Sequence, residues 1–250
     1  MIWGRFAAGR AHVPSKGSPT AHTEDTDMGE MITLTAEDGH KLAAYKATPS
    51  GTPRGALVVI QEIFGVNHHI KSVTDRFAKE GYLSIAPALF DRVERGFESG
   101  YQQADIERGR AVRGKLSIDD AVKDVRAAVK EAQTSGQKVG VVGYCFGGTM
   151  AWLAATRIDG VAAAIAYYGG GVADAAAEKP KCPVIFHWGE TDASIPKEHW
   201  EKVKQHHPKL QQYVYPAGHG FHCDERASYH KPSADQAMER TIQFLKQHVG

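Results

Sequence analysis

Short apolar runs recur along this chain, separated by polar turns or by segments with helical periodicity. Near the start, residues 32–35 and 42–45 flank Asp38-Gly39, a turn dipeptide that predicts a β-hairpin. The run at 56–60 is apolar throughout, which is typical of a strand buried on both faces of a sheet. Further predicted strands cover residues 82–86, 139–143, 162–168, 184–188 and 212–215.

Helical patterns occupy three segments between and after these strands. Residues 70–79 form the first predicted helix. The second opens at Ser117, with Asp120 three residues later, as in a capping box. Its apolar stripe consists of Ile118, Val122, Val125, Val129 and Ala132. The last helix is predicted to begin at Ser233, where Gln236 completes a capping box, and to end near residue 247.

This alternation predicts an α/β fold with a mostly parallel central sheet covered by helices on both faces. Ligands of such sheets bind beyond the carboxyl ends of the strands, so functional residues are expected at that edge. No linker or internal repeat interrupts residues 28–250, which predicts a single domain. Residues 1–27 lack apolar periodicity and predict a disordered N-terminal extension.

One long connection breaks the regular alternation. Residues 91–116 are charged and rich in arginine. Because long connections in compact domains usually serve a function, we expect this segment to be a lid or a binding segment.

Composition excludes several classes of function. A formal net charge of +1 gives no sign of nucleic-acid binding. No apolar run approaches the roughly 20 residues that span a bilayer, so no membrane partner is expected. The 3 cysteines are widely spaced, which predicts free thiols and a reducing, cytoplasmic location. We expect a monomer or a small homo-oligomer.

The candidate chemistry centres on the segment Gly143-Tyr144-Cys145-Phe146-Gly147, which directly follows a predicted strand. This pattern predicts a nucleophile elbow, a sharp strand-to-helix turn whose flanking residues must be small. Serine is the usual residue at the centre of the turn, and Cys145 indicates thiol chemistry instead. Taken alone, Cys145 could also be a buried packing residue.

A thiol nucleophile needs a base, and the base needs an orienting acid. Asp192 follows the predicted strand 184–188, and His219 lies between two glycines after strand 212–215. The order nucleophile, acid, histidine is typical of α/β-hydrolases. Glu190 is an alternative acid in the same loop, and Asp192 alone would also fit a simple turn.

The other cysteines and histidines are predicted to have no part in catalysis. Cys182 stands at a predicted strand start and is expected to be structural. The sequence His219-x-x-His222-Cys223 does not follow a standard zinc pattern, so we predict no metal and no cofactor. The pair His68-His69 is predicted to be solvated at the surface.

Over residues 29–248 the chain resembles the dienelactone hydrolase family of α/β-hydrolases. The matching motifs are Gln61-Glu62-Ile63-Phe64-Gly65-Val66-Asn67, Ala86-Pro87-Ala88-Leu89-Phe90-Asp91-Arg92, Gly143-Tyr144-Cys145-Phe146-Gly147-Gly148, residues 189–196 and Ala217-Gly218-His219-Gly220-Phe221. The Gln-Glu-Ile-Phe-Gly block combined with a cysteine elbow is distinctive, since generic serine hydrolases lack it.

The resemblance implies a role for each matching residue. The family's catalytic triad falls on Cys145, Asp192 and His219. The family's glutamate, which controls ionisation of the thiol, falls on Glu62.

The same resemblance implies how substrate is bound. Backbone N–H groups of Ile63 and Phe146 would form the oxyanion hole. Arg92 matches the first of two arginines that bind a substrate carboxylate in the best-known members of the family. The second arginine falls on Cys223, and the nearest cation in sequence is Arg226.

These residues predict a metal-free cysteine hydrolase that cleaves a small ester or lactone through an acyl-enzyme on Cys145. We expect the substrate to be anionic. A broad carboxylesterase or thioesterase without lactone preference is the alternative within enzymes. From another class, the chain could be a non-catalytic binding protein that retains the hydrolase scaffold, although the complete Cys, Asp and His set argues against this. A thiol-directed ester probe separates the two classes.

Overall fold

A sheet of eight strands forms the centre of the protein in this computed structural model, which describes Met1 and residues 29–250. The strands are β1 (Glu30–Thr35), β2 (Lys41–Ala47), β3 (Gly55–Ile60), β4 (Tyr82–Pro87), β5 (Val139–Tyr144), β6 (Val161–Tyr167), β7 (Val184–Gly189) and β8 (Gln211–Tyr215). Their order across the sheet is β1-β2-β4-β3-β5-β6-β7-β8. The predicted extension at residues 1–27 lies, apart from Met1, outside the described residues.

Most neighbouring strands of the sheet are parallel. β1 and β2 form the predicted hairpin around Gly39, whose φ of 83° suits a glycine turn. β2 also pairs antiparallel with β4, whereas every pair from β4 to β8 is parallel. The parallel strands β3 to β7 are buried throughout or nearly so, because helices cover the sheet. Their carboxyl ends therefore lie along one edge, as predicted.

The described helices of more than one turn are α1 (His68–Lys79), α2 (Gln103–Lys115), α3 (Ile118–Gln133), α4 (Phe146–Arg157), α5 (Lys197–His206) and α6 (Lys231–His248). A side chain at Gly140 in β5 would meet Leu245 of α6, and one at Gly143 would meet the start of α4. Since side chains alternate along a strand, α4 and α6 cover opposite faces. None of the helices in the described residues has the length and apolarity needed to cross a membrane.

The predicted start is correct for helix α3 but not for helix α6. α3 begins as predicted, with the side chain of Ser117 accepting from the N–H of Asp120 at 3.4 Å. α6 begins at Lys231, two residues before the predicted start. Pro232 fits the first turn of this helix, and the Ser233 hydroxyl is bonded to His230 Nδ1 at 2.7 Å rather than acting as the cap.

The connection at residues 91–116 contains a helix that the sequence pattern did not predict. α2 buries only Gly109 and Val112, so it has no apolar stripe from which to recognise it. A capping box between Gln102 and Asp105 fixes its start. Gly109 lies so close to the Ile63 carbonyl oxygen that a side chain there would collide with it. The helix is thereby held against the carboxyl edge of the sheet.

Candidate active site

The turn around Cys145 has the geometry of a nucleophile elbow. Cys145 connects β5 to α4 with a φ of 54°, a backbone conformation that non-glycine residues rarely adopt. A side chain at Gly143 would collide with the backbone of Gly147. One at Gly147 would in turn collide with the Ile60 carbonyl oxygen. The two flanking glycines are therefore required by the close approach of β3, β5 and α4.

The side chains of Asp192 and His219 are in direct contact at the same edge. Asp192 Oδ2 lies 2.7 Å from His219 Nδ1, and Asp192 Oδ1 accepts from the Ser194 N–H at 2.8 Å. Because a carboxylate accepts, this contact holds a proton on Nδ1 and leaves Nε2 for proton transfer. Glu190, the alternative acid, is exposed, whereas Asp192 is buried. The structure thus places Asp192 rather than Glu190 beside the histidine.

The charges around His219 favour its protonated form. Burial opposes protonation, but the negative charges of Cys145 and Asp192 outweigh it and raise the pKa of His219 above its ordinary value. Cys145 and His219 both line one cavity. The structure therefore brings together the three predicted triad residues.

Ile63, in the loop after β3, and Phe146, at the start of α4, also line this cavity. In the described part of the chain, neither of their backbone N–H groups donates to a backbone carbonyl. The N–H of Phe146 also carries the partial positive charge of a helix N-terminus. Unpaired N–H groups beside a nucleophile can stabilise an oxyanion.

Glu62 is buried and paired with an arginine of the cavity wall. Its Oε1 accepts from Arg226 Nη1 at 3.1 Å, and Arg226 lines the cavity. Burial opposes the charge of Arg226, but Glu62 outweighs it and raises the pKa of the guanidinium. Cys223, the position on which the family's second arginine falls, is fully buried, whereas Arg226, the nearest cation in sequence, lines the cavity.

Arg92, by contrast, is held by carboxylates away from the cavity. Its Nε and Nη2 each donate to Asp124 at 2.8 Å, and Nη1 lies 3.0 Å from Asp38. Arg92 lies beside a small surface depression and is not among the residues that line the cavity around Cys145. These contacts favour a structural ion pair and do not support the implied role in binding a substrate carboxylate.

The cavity around Cys145 has a volume of about 610 Å³. Its apolar lining consists of Ile63, Phe64, Ile106, Ile118, Phe146, Leu153, Ala175 and Ile195. A mostly apolar cavity of this size with a few polar groups is typical of a small-molecule site. It has room for an acyl or alcohol group considerably larger than a single small ring.

Helix α2 lies in the arginine-rich segment 91–116, which the sequence predicts to be a lid or a binding segment, and it contributes two cations to the cavity. Arg110 and Arg113 line the cavity together with Ile106. The Arg113 guanidinium lies 4.4 Å above the Phe146 ring and donates to the Leu116 carbonyl at 3.1 Å. Burial lowers the pKa of Arg113, and no carboxylate of the described residues is paired with it. The i, i+4, i+7 spacing of residues 106, 110 and 113 could have identified this face.

The pair His68-His69 and Cys182 lie outside the cavity lining. His68 is exposed, as predicted, but His69 is fully buried, so the prediction of a solvated pair is wrong for His69. His69 faces inward from the first turn of α1, and its Nδ1 lies 3.1 Å from Asp224. Cys182 is half-buried against the core, and burial raises its pKa to about 11.

A mostly parallel sheet with an elbow, an acid and a histidine along its carboxyl edge defines the α/β-hydrolase fold. The model of the "Dienelactone hydrolase family" matches residues 42–249 of the chain. A Synechocystis protein named "Putative carboxymethylenebutenolidase" is 37% identical, over 88% of this chain and 97% of its own. The "Carboxymethylenebutenolidase" of Pseudomonas putida is 33% identical, over 87% of this chain and 96% of its own.

A solved structure gives the same result. The "Putative Dienelactone Hydrolase" of Klebsiella pneumoniae is 30% identical and superposes with a TM-score of 0.77, covering 88% of this chain and 100% of its own. The chain belongs to the dienelactone hydrolase family, and it is a hydrolase of the class that acts on esters and lactones.

Proposed function

We propose that the protein hydrolyses a small ester or lactone through an acyl-enzyme on Cys145, with His219 as the base and Asp192 as its orienting acid. The observation that carries this proposal is the 2.7 Å contact between Asp192 and His219 in the same cavity as the strained Cys145 elbow. A nucleophile, a base and an orienting acid are the parts that acyl transfer needs.

In the first half-reaction, the Cys145 thiolate attacks the carbonyl carbon and a C–S bond forms. The carbonyl electron pair moves onto oxygen, which the N–H groups of Ile63 and Phe146 stabilise. When this intermediate collapses, the C–O bond breaks and the His219 imidazolium gives its proton to the departing alkoxide. With a lactone, the alcohol so formed stays attached to the acyl group.

In the second half-reaction, neutral His219 takes a proton from water, which attacks the thioester carbonyl. The C–S bond breaks, the carboxylic acid leaves, and Cys145 and His219 return to their charged forms. Asp192 keeps the imidazole in the required tautomer throughout. Glu62 acts on the thiol without bonding to substrate, and its pairing with Arg226 supports a role in setting the local charge balance. A thiol that must stay reduced supports a cytoplasmic location.

An anionic substrate is part of the proposal. Arg113 and Arg226 both line the cavity, and Arg113, unlike Arg226, has no carboxylate partner among the described residues. A substrate carboxylate would neutralise this partly buried cation, and such charge-assisted contacts are strong. In this proposal Arg113 and Arg226, rather than Arg92, bind the substrate carboxylate.

A broader esterase is the second candidate, favoured by the size and apolar lining of the cavity. A hydrolase selective for anionic substrates and a broader esterase are distinguished by kinetics on matched lactones and aryl esters with and without a free carboxylate. We expect the carboxylate-bearing member of each pair to have the higher kcat/KM. Equal values would support the broader esterase.

The nucleophile is tested by replacing each cysteine. Cys145→Ala should lower kcat by about 10⁶-fold, as removal of the nucleophile does in a comparable triad. Cys182→Ala and Cys223→Ala are matched controls that should retain most turnover. Near-normal hydrolysis by folded Cys145→Ala would overturn the proposal.

A further inference from the structure

Behind the Arg226 side of the cavity lies a buried cluster of three metal-binding residue types. Glu62, His69 and Cys223 each offer a donor atom, and these atoms all lie within 4.8 Å of one another. The residues come from the loop after β3, the first turn of α1 and the loop after β8. Their relative exposures are 1%, 0% and 0%. The cluster is therefore inside the protein rather than on a surface where acidic groups gather by chance.

Two donor atoms of this cluster lack the partners that buried polar atoms normally have. Within the described residues, Glu62 Oε2 and His69 Nε2 are buried and make no hydrogen bond. Leaving such groups unpaired is costly, and each case calls for a physical explanation. A cation held between these atoms would satisfy both.

The surroundings of His69 prepare it to bind a metal. Its Nδ1 lies 3.1 Å from Asp224 Oδ1, and because the carboxylate accepts, the proton is held on Nδ1. Nε2, which makes no hydrogen bond within the described residues, then keeps a lone pair available for a metal. A carboxylate behind a histidine in this way is the usual support of a metal-bound imidazole.

The donor set also restricts the kind of ion. A thiolate, an imidazole and a carboxylate together suit a borderline divalent ion such as Zn²⁺ or Co²⁺, whereas Mg²⁺ and Ca²⁺ prefer oxygen alone. Burial raises the pKa of Cys223 to about 12, so the metal would have to displace the thiol proton on binding. Arg226 both contacts Glu62 and lines the cavity, so the cluster adjoins the cavity wall.

We propose that Glu62, His69 and Cys223 form a binding site for one divalent transition-metal ion, with a fourth position open to water. The site is separate from Cys145, Asp192 and His219. On the proposed function, which assigns Glu62 to the thiol, an ion here would inhibit hydrolysis by withdrawing Glu62.

The test uses Co²⁺ alone with a Cys145→Ser protein, so that the nucleophile cannot supply the thiolate. We expect one Co²⁺ per chain, with a thiolate-to-cobalt charge-transfer absorption and the visible bands of a four-coordinate ion. Cys223→Ser in that background should abolish the charge-transfer absorption. Cys182→Ser is the matched control and should retain it.

Competition with a chelating dye measures the affinity for Co²⁺ of variants at Asp224 and His69, each made in the Cys145→Ser protein. Asp224→Asn should weaken Co²⁺ binding about 10- to 100-fold through His69. His69→Gln should weaken it at least as much, and circular dichroism checks that each variant is folded. The proposal is overturned if folded Cys145→Ser protein gives no thiolate band, or if Cys223→Ser leaves that band unchanged. Failure of this binding test would leave ester hydrolysis by the wild type unaffected.

Discussion

The catalytic edge of the sheet and the inner face of α2 hold their charges in different ways. At the edge, Asp192 is bonded to His219 and Glu62 is bonded to Arg226. On α2, Arg113 lies against an aromatic ring and a carbonyl oxygen and has no carboxylate partner among the described residues. Charge is thus paired with a carboxylate or an arginine where the reaction is proposed to occur, whereas Arg113 has no carboxylate partner on the α2 side of the cavity.

This difference indicates that rate and selectivity are controlled by separate residues. Paired groups have their geometry fixed before substrate arrives, which is what stabilisation of a transition state requires. An unpaired, partly buried cation gains a partner only when an anionic ligand binds. Substitutions at the edge should therefore slow all substrates alike, whereas a substitution on α2 should distinguish anionic from neutral ones.

The largest of these effects is expected at Asp192. Asp192→Asn should lower kcat by about 10⁴-fold for charged and neutral esters alike, because the amide permits the wrong tautomer of His219. Glu190→Gln is the matched control in the same loop and should have little effect, since Glu190 is exposed. Equal, small losses in both variants would remove Asp192 from the triad.

A smaller and selective effect is expected at Arg113. Arg113→Gln should lower kcat/KM for a carboxylate-bearing ester by about 10- to 100-fold, the value of a charge-assisted contact. The matched neutral ester should be nearly unaffected. Equal losses for both esters would show that Arg113 acts on the shape of the site rather than on substrate charge.

Arg92→Gln is the contrasting control for that experiment. Arg92 is bonded twice to Asp124, whose side chain has no exposed surface. Removing the partner of a buried charge costs about 3–5 kcal/mol, so urea unfolding should show a clear loss of stability. The ratio of activities on the two esters should stay the same. A change in that ratio would return Arg92 to the substrate site.

Sequence alone predicted the parts of the fold that local patterns determine. The buried strands and the elbow were recognisable because apolar runs and the close approach at Gly143 and Gly147 depend on neighbouring residues. Ser117 was recognisable as a cap for the same reason. α2 was missed because it buries too few residues to leave a stripe.

Side chains that meet from distant segments were less predictable. Arg226 reaches Glu62 across 164 positions of sequence, and its position near His219 in the sequence did not reveal this pairing. The burial of His69 depends on the packing of α1, which its neighbour His68 does not reveal. The candidate catalytic residues could be predicted from sequence motifs. The arrangement of charged side chains around the cavity could be determined only from the structure.

The smallest predicted effect concerns the charge of His219. Cys145 and Asp192 raise the pKa of His219, so the wild-type imidazole should remain protonated at pH values above its ordinary range. Cys145→Ala removes one of the two negative partners and should lower that pKa. Histidine NMR titration, with His219→Gln to assign the signal, measures the change. The same titration in both proteins would mean that the two side chains are not coupled.

The central claim is that Cys145 carries the acyl group during turnover. Wild-type enzyme mixed with a chromogenic aryl ester, quenched in acid within one turnover and digested, can be mapped by mass spectrometry. The account predicts the acyl mass on the peptide that contains Cys145, and on neither of the peptides with Cys182 and Cys223. Turnover with an unmodified Cys145, or with the acyl group on another residue, would contradict it.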